Sequence, residues 1–485
     1  WNSSYPDHNL CTQQKIVQKI GFLKLSTFFI YFQGAGKKLI FVLSSSWIKK
    51  LEDSGFKVNT FLSKILNIFF FISFFIEGLV YFFKILYLYS KFQLLQYGKR
   101  IKDLENLVIF VNISSKDAGN ECKSKFTLAQ WFKENISKNN NTFYVDKKLD
   151  FRTGGNSNNL PDPLFLYIIN LNIFSFLYHG LKFFFLMILD LLILNFTNLI
   201  LLKENLESLI VKKSTYNRRI DFYYVYTQNI FRPLWTYEIL KKKSSVSIIM
   251  LNIINEMRLS KDLNYTHDHE AHHLSTWDNY YVWSNKCADF LNYRIRECSN
   301  FTKNNFRFEK KGLIFSSDTD KVLNLDHKRS ISLFTYEFDR LAFGITTMAE
   351  WQLRGPEILT DFYADILEAV RELDIQLIVK RKKIMTKNQE REKMTIFWKI
   401  LEQNSNVTLI DPRHSAYKVI LKTNMTISQP FTSTGYAAEF LNKPSLYYDP
   451  TASLYPNDPA AGNVQVIGNK ILLKKWIIDN MNKEV

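Results

Sequence analysis

The sequence predicts an α/β protein whose C-terminal part is a parallel, doubly wound sheet. Three observations predict it. From residue 331 onward, short apolar runs alternate with stretches of helical period and short connections, the pattern of successive βαβ units. Upstream, further strand-like runs occur at Leu107–Val111, Phe222–Tyr226 and Val246–Leu251. Two Phe/Ile/Leu-rich segments, 61–92 and 164–202, are inserted among them. The chain therefore divides into residues 1–330, with its own strands and greasy helices, and residues 331–485, a regular α/β sheet.

Composition bounds the function. A chain of 485 residues with 46% hydrophobic and 22% charged residues is neither disordered nor collagen-like, and its length suits about three ordinary domains or two large ones. The formal net charge of +17 favours an anionic partner, whether nucleotide, nucleic acid or acidic membrane face. Cys11, Cys122, Cys287 and Cys298 lie far apart with no CxxC pair, which argues for a reducing compartment and against a disulfide framework. The 41 Phe residues partly reflect a coding bias that raises Phe, Lys, Asn and Ile together.

Taken in order, the run Lys38–Leu43 reads as a buried strand ended by Ser44–Ser46, with a helix over 47–53. In 61–92, Glu77, Lys84 and Lys91 are seven apart, so they line one stripe of a helix. Its longest uncharged stretch, Ile65–Ile76, is too short to span a bilayer. The strand 107–111 and a helix over 127–136 follow. Only His179, Lys182 and Asp190 put charge or a titratable ring into 164–202. That segment suits a hairpin of two membrane helices, helices lying in the interface, or a greasy interior. Two Trp-bearing segments come at Trp277 and Trp283. The C-terminal part reads as strands 331–336, 375–380, 407–410, 424–428, 445–449 and 464–467, with helices near 356–373, 388–402, 414–421, 433–441 and 470–482.

Ligands of open parallel sheets bind outside the carboxyl ends of the strands, so the residues there are the candidate site. Lys380-Arg381-Lys382-Lys383, Asp411-Pro412-Arg413-His414, Gln429 to Gly435, and Asp449-Pro450-Thr451 each follow a strand. The third cluster carries the most information. Pro430 stops its strand, and Thr432, Ser433 and Thr434 then open a helix. Hydroxyls at a helix start, with unpaired N–H groups and the positive dipole end, suit a phosphate. One hydroxyl is enough for an ordinary N-cap, and three exceed that need. Lys380, Arg381 and Lys382 would balance phosphate charge, whereas Lys383 reads as a solvated surface residue. Asp411, Arg413, Pro430, Tyr448 and Asp449 would line the pocket, although Asp449 before Pro450 serves equally well as a turn residue.

The run Ile427-Ser428-Gln429-Pro430-Phe431-Thr432-Ser433-Thr434 resembles the signature of the bacterial polysaccharide biosynthesis PFTS-motif family. Asn442-Lys443-Pro444-Ser445 and Tyr447-Tyr448-Asp449-Pro450-Thr451 follow at the spacing of that family, and Arg232-Pro233-Leu234-Trp235 and the Trp277/Trp283 segment are similar to it upstream. The resemblance implies a GT-B-like glycosyltransferase with two Rossmann-like domains, the N-terminal one bearing the inserted hydrophobic helices. It implies a nucleotide-activated sugar as donor, a lipid-linked or oligosaccharide acceptor of capsule or O-antigen type, no metal and no cofactor. It places the protein on the cytoplasmic face of the bacterial inner membrane, peripheral or monotopic. Related capsule transferases also carry an acidic residue on the helix after the hydroxyls. Glu439 stands there, one position off the expected place.

A base for the acceptor hydroxyl is needed if stereochemistry inverts. Glu337, Asp339 and Glu350 are candidates after the first C-terminal strand, with His269 and Asp278 from the N-terminal half. A competing reading rests on Thr266-His267-Asp268-His269-Glu270-Ala271-His272-His273, which resembles the HxHxDH motif of metal-dependent hydrolases. His267, His269 and His272 would be ligands, but Ala271 replaces the Asp that such chemistry needs. A third reading is a non-catalytic membrane scaffold with a degenerate nucleotide domain. There is no P-loop, no GxGxxG after a strand, no zinc-finger spacing and no GxSxG. Basic residues are scattered rather than set for base reading, so no nucleic-acid partner is expected.

Overall fold

The computed structural model describes residues 59–94, 106–111, 128–136, 142–146, 159–161, 171–192, 196–214, 219–225, 232–240, 244–251, 277–292 (without 286 and 290), 307–314, 323–325, 329–335, 356–381 and 392–482 (without 459 and 460), together with 49, 52 and 53. The strand expected at 38–43 and most of the helix expected at 47–53 lie outside these residues.

Two parallel sheets follow one another along the chain. The first comprises β1 (Asn106–Val111), β2 (Thr142–Asp146), β3 (Asn159–Pro161), β4 (Arg219–Val225), β5 (Ser245–Ile249), β6 (Asn279–Val282) and β7 (Arg307–Lys310). Its order is β3-β2-β1-β4-β5-β6-β7. The second comprises β8 (Ser330–Phe334), β9 (Gln376–Lys380), β10 (Val407–Ile410), β11 (Met425–Ser428), β12 (Ser445–Tyr448) and β13 (Gln465–Ile467), in the order β10-β9-β8-β11-β12-β13. Relabelled from its own first strand, that is 3-2-1-4-5-6, the Rossmann order, with the reversal falling between β8 and β11. Every pairing is parallel. β8 (SISLF) and β11 (MTIS) are buried along their whole length, as strands covered on both faces are, and their buried hydroxyls pair, Ser332 Oγ with Thr426 Oγ1 at 2.8 Å. Two consecutive Rossmann-like sheets are what the GT-B expectation requires.

The helices of the first half are α1 (Thr60–Leu94), α2 (Leu128–Asn135), α3 (Ile173–Leu192), α4 (Phe196–Ile200), α5 (Leu202–Lys213) and α6 (Thr236–Leu240). Those of the second are α7 (Pro356–Glu372), α8 (Glu392–Glu402), α9 (Ala416–Lys422), α10 (Ser433–Phe440) and α11 (Lys470–Met481). Caps set several starts. Ser415 Oγ accepts from Tyr417 N at 3.2 Å, and Asn469 Oδ1 accepts from Ile471 N and Leu472 N at 2.8 and 3.3 Å. On one face of the second sheet, Phe362, Ile366, Trp398, Leu401, Leu473 and Ile477 of α7, α8 and α11 close a core over Leu377, Val379, Ile427 and Tyr448. On the other, Val419, Ile420, Ala437 and Ala438 of α9 and α10 belong to a core that continues into the first sheet.

Among the described residues, the apolar segment 164–202 holds one long helix and not two. Its long helix, α3, packs antiparallel on α1: the Phe82 ring lies 6.1 Å from Phe176 and 5.4 Å from Phe184, and Tyr89 stacks on Phe176 at 5.0 Å. Gly180 permits the approach, since a Cβ there would lie 2.1 Å from Phe82 Cε2. The second half of the segment turns back as short α4, where Asn198 Nδ2 donates to Asp190 Oδ2 at 3.0 Å. α5 then continues with alternating charge beyond the apolar run.

Candidate functional site

The carboxyl edge of the second sheet is levelled by register. Ile410 pairs with Lys380, Lys380 with Phe334, Phe334 with Ser428, and Ser428 with Tyr447. Gln429 N donates to Phe334 O at 3.1 Å, carrying the β8–β11 ladder one step past the strand. The PFTS segment thus leaves the sheet at its topological switch point, where α/β sheets bind ligands.

The turn itself is tight. Phe431 has φ +61, a left-handed conformation that costs a non-glycine residue about 1–2 kcal/mol. Its buried ring, 5.8 Å from that of Tyr447, offsets the strain. Thr432 stands at the N-cap of α10 with φ −75 and ψ 144, but its hydroxyl does not cap the helix. It donates back to Gln429 O at 3.0 Å. The expected hydroxyl cap is therefore absent, and among the described residues no group accepts from the N–H of Ser433 or Thr434. The hydroxyls form a chain of their own: Thr432 Oγ1 to Thr434 Oγ1 at 3.1 Å, and Thr434 Oγ1 to Ser428 Oγ at 3.0 Å. Because Thr432 donates its proton to Gln429 O, the chain's protons stay within it, and the two N–H groups at the positive end of the helix dipole make the cradle for an anion.

Tyr447 holds this cradle in place. Its hydroxyl donates to Thr432 O at 2.6 Å, and its ring packs where a Cβ on residue 435 would stand, 2.3 Å from Cε1. Gly435 is thus a packing requirement. Ser445 Oγ donates to Gly435 O at 2.8 Å. Neither Ser428 nor Tyr447 emerged as a site residue from the sequence. The signal available for both was parity, since each shares a sheet face with Lys380 and Phe334.

Parity also divides the other candidates. Adjacent residues at a strand end point to opposite faces. Lys380 is buried, on the face of α9 and α10, with Nζ donating to Arg381 O at 3.3 Å. Arg381 goes the other way, its guanidinium 4.4 Å above the Trp398 ring of α8. Tyr448 also points away from the cradle and donates to Asp365 Oδ2 of α7 at 2.5 Å. Burial, then that carboxylate, pushes its hydroxyl pKa well above the usual tyrosine range. Asp449 is 1% exposed. Its carboxylate accepts from Thr451 N and Oγ1, Ser453 N and Oγ, and Leu454 N at 2.6–3.3 Å, which makes it the organiser of its own loop.

Asp411 and Arg413 pair with each other in an exposed turn, Arg413 Nη2 to Asp411 Oδ2 at 2.5 Å. Pro430 is buried inside the turn. Glu439, a turn and a half along α10, accepts from Asn463. In the first half, Asp278 precedes β6 at its amino end and binds Arg232 Nη1 at 2.9 Å, far from a carboxyl edge. Lys382, Glu337, Asp339, Glu350 and the His267/His269/His272 cluster lie outside the described residues. Among the described residues no group of three or more His, Cys, Asp or Glu side chains is placed to hold a metal.

Strand order and switch-point geometry define a tandem Rossmann-like protein whose second sheet carries an uncapped helix start at its carboxyl edge. The chain belongs to the polysaccharide biosynthesis PFTS motif protein family, which matches residues 180–477. No curated protein matches it. Among solved structures, the UDP-GlcNAc 2-epimerase of Methanocaldococcus jannaschii, in complex with UDP-GlcNAc and UDP, is similar over 78% of this chain and 93% of its own, at 13% identity and a TM-score of 0.39. The wall teichoic acid polymerase TagF is similar over 83% and 89%, at 9% identity and 0.37. The UDP-forming α,α-trehalose-phosphate synthase of Burkholderia vietnamiensis is similar over 78% and 91%, at 7% identity and 0.36. The fold assignment rests on strand order and not on these overlays.

Proposed function

We propose that the protein is a glycosyltransferase that moves a sugar from a nucleotide-activated donor to a growing surface polysaccharide of capsule or O-antigen type. One observation carries the reading: the uncapped start of α10, with its hydroxyl chain, at the switch point of a Rossmann-order sheet. An anion cradle at that point suits the phosphates of an activated sugar, and membership of a polysaccharide biosynthesis family supports the acceptor class.

In the reaction, the bond from the anomeric carbon to the donor phosphate breaks and the phosphate keeps the electron pair. The acceptor oxygen bonds to the anomeric carbon, and its proton passes to a base. The N–H groups of Ser433 and Thr434 would receive the departing charge, held in place by the hydroxyl chain of Ser428, Thr434 and Thr432, with Lys380 supplying a cation on the same sheet face. Preorganised donors of this kind act on charge as it develops and need little reorganisation. Arg381 would contribute only through its position on Trp398.

Thermal unfolding in the presence of CMP, CDP, UDP, GDP and TDP tests the assignment. One nucleotide is expected to stabilise the parent, by about 2.7 kcal/mol at a hundredfold excess over Kd. Thr432→Ala/Ser433→Ala and Thr434→Val are expected to lose most of that shift. If no nucleotide stabilises the protein, the donor-site reading fails.

A further inference from the structure

The described residues carry one large apolar surface that the donor cradle does not use. On α1, Phe69, Ile72, Ile76, Val80, Phe83 and Tyr87 recur at three- and four-residue steps, and each is exposed. The stripe runs for about 27 Å at 1.5 Å per residue. On α3, Phe174, Tyr178, Leu181, Phe185 and Leu192 form a second exposed stripe. The opposite sides of both helices are buried through Phe82, Ile85 and Tyr89, and through Phe176, Phe183 and Met187, in the same core as the first sheet. The helix pair is therefore a ledge on a folded domain, greasy on its outer side. Contiguous exposed apolar surface of this extent marks an interaction site.

The stretches Phe71–Lys91 and Ile173–Leu192 are each long and apolar enough to cross a membrane. Two features oppose a crossing. The first is charge at mid-length. Gly180 faces Phe82, so Lys84, His179 and Lys182 gather at one level, and Lys182 is central in the 20-residue α3. Both lysines are exposed. A crossing would carry them deep into hydrocarbon, where unpaired cations are costly. The second is α5, a charged helix fastened along the middle of α1. Lys203 pairs with Glu77, and Tyr81 donates to Glu207. Burial, then Lys213 at the end of α5 and Lys182, holds His179 below its ordinary pKa. A spanning α1 would bring these groups with it.

An amphipathic pair lying flat has neither problem. Its stripes enter the acyl boundary while flanking lysines reach head groups. The formal charge of +17 also chooses between occupants: it complements anionic lipid and repels a second copy of the chain. We propose that α1 and α3 form a monotopic anchor lying in the plane of an anionic bilayer, inserted by their outer stripes and not crossing it. The proposal stands apart from the donor-site reading.

Flotation of the full chain with vesicles of phosphatidylglycerol and phosphatidylethanolamine, against vesicles of phosphatidylcholine alone, tests it. The parent is expected to float with the anionic vesicles. Val80→Glu/Phe185→Glu is expected to reduce the bound fraction at least tenfold with its thermal transition unchanged, and Ile76→Ser/Phe83→Ser serves if the first variant misfolds. Lys64→Cys and Lys91→Cys, each in a background with the four native cysteines changed to serine, then report orientation. An in-plane helix leaves both ends open to a membrane-impermeant maleimide added outside sealed vesicles. Labelling of one end alone would mean a crossing and would overturn the proposal. So would failure of the parent to float, or a dimer in light scattering that Val80→Glu dissolves. Nucleotide-dependent thermal shifts on the same preparations keep the two readings separate.

Discussion

A methyl group on residue 435 would sit 2.3 Å from Tyr447 Cε1. Gly435→Ala must therefore displace the ring and with it the 2.6 Å bond from Tyr447 to Thr432 O. Overpacking of this kind costs about 1–3 kcal/mol, and the nucleotide-induced shift should vanish with the cradle. Tyr447→Phe is the finer probe. It keeps the ring and removes one of the two donors to the Thr432 carbonyl, which still accepts from Gly435 N at 3.2 Å, at a cost of about 0.5–1.5 kcal/mol. Urea unfolding with and without nucleotide separates the two effects: Gly435→Ala abolishes the shift, and Tyr447→Phe reduces it. Arg232 is a contrast. Its guanidinium, 1% exposed, donates from Nε to Thr236 Oγ1 at 2.9 Å, pairs with Asp278 and lies 4.2 Å over Tyr237. Breaking a buried pair costs about 3–5 kcal/mol. Asp278 is 36% exposed, so Asp278→Ala should fall at the low end of that range. The nucleotide shift should remain, because the pair supports the first sheet alone.

At the scale of elements, the α7–α11 contact shows how charge and pH enter. Lys470 reaches Asp365 Oδ1 at 3.0 Å and Glu368 Oε2 at 2.8 Å, and Lys474 pairs with Glu372. Hydrogen bonding to Lys470 holds the Glu368 carboxyl below its ordinary pKa, and the same partners push Lys470 up. A depressed carboxyl stabilises above its unfolded pKa and loses that contribution as pH falls through the folded one. A raised lysine stabilises below its unfolded pKa and loses it as pH rises through the folded one. The gap in stability between parent and Glu368→Gln should therefore be small, widest near neutrality, closed by acid below the glutamate range and closed by molar salt. Denaturant melts across pH would show it. The second sheet was legible at this scale because its strands and helices alternate strongly: β10 and the start of α10 fall where the periodicity puts them. β2, β3 and β7 were not, because runs as short as Asn159–Pro161 and Arg307–Lys310 carry too few side chains to show a period. The cradle's location was legible from Pro430 and its hydroxyls. Which of Lys380 and Arg381 shares its face was not, because basic residues at a strand end read as one cluster until they are assigned to alternating sides of a sheet.

For the whole molecule, the decisive feature is the joint between the two sheets. The core runs from Phe110 and Trp283 in the first half to Tyr417, Phe431 and Tyr447 in the second. The Trp283 ring meets Phe440 of α10 edge-on at 6.4 Å while its Nε1 donates to Met250 O at 3.0 Å. Tyr417 of α9 donates to Ile314 O at 3.1 Å. A polar joint would let the two halves melt separately, whereas an apolar one couples them. Calorimetry of the full chain should give one transition, and a nucleotide held by the second sheet should raise all of it. Trp283→Ala removes a buried ring from the joint, at about 3–5 kcal/mol. It should split the transition in two, with the nucleotide moving only the part that belongs to the second sheet. Two transitions already in the parent would mean that the joint does not couple the halves. A Trp283→Ala protein that still melts as one, and still moves as one with nucleotide, would mean that the coupling runs through Tyr417 and its neighbours, which Tyr417→Ala in the same background would then divide.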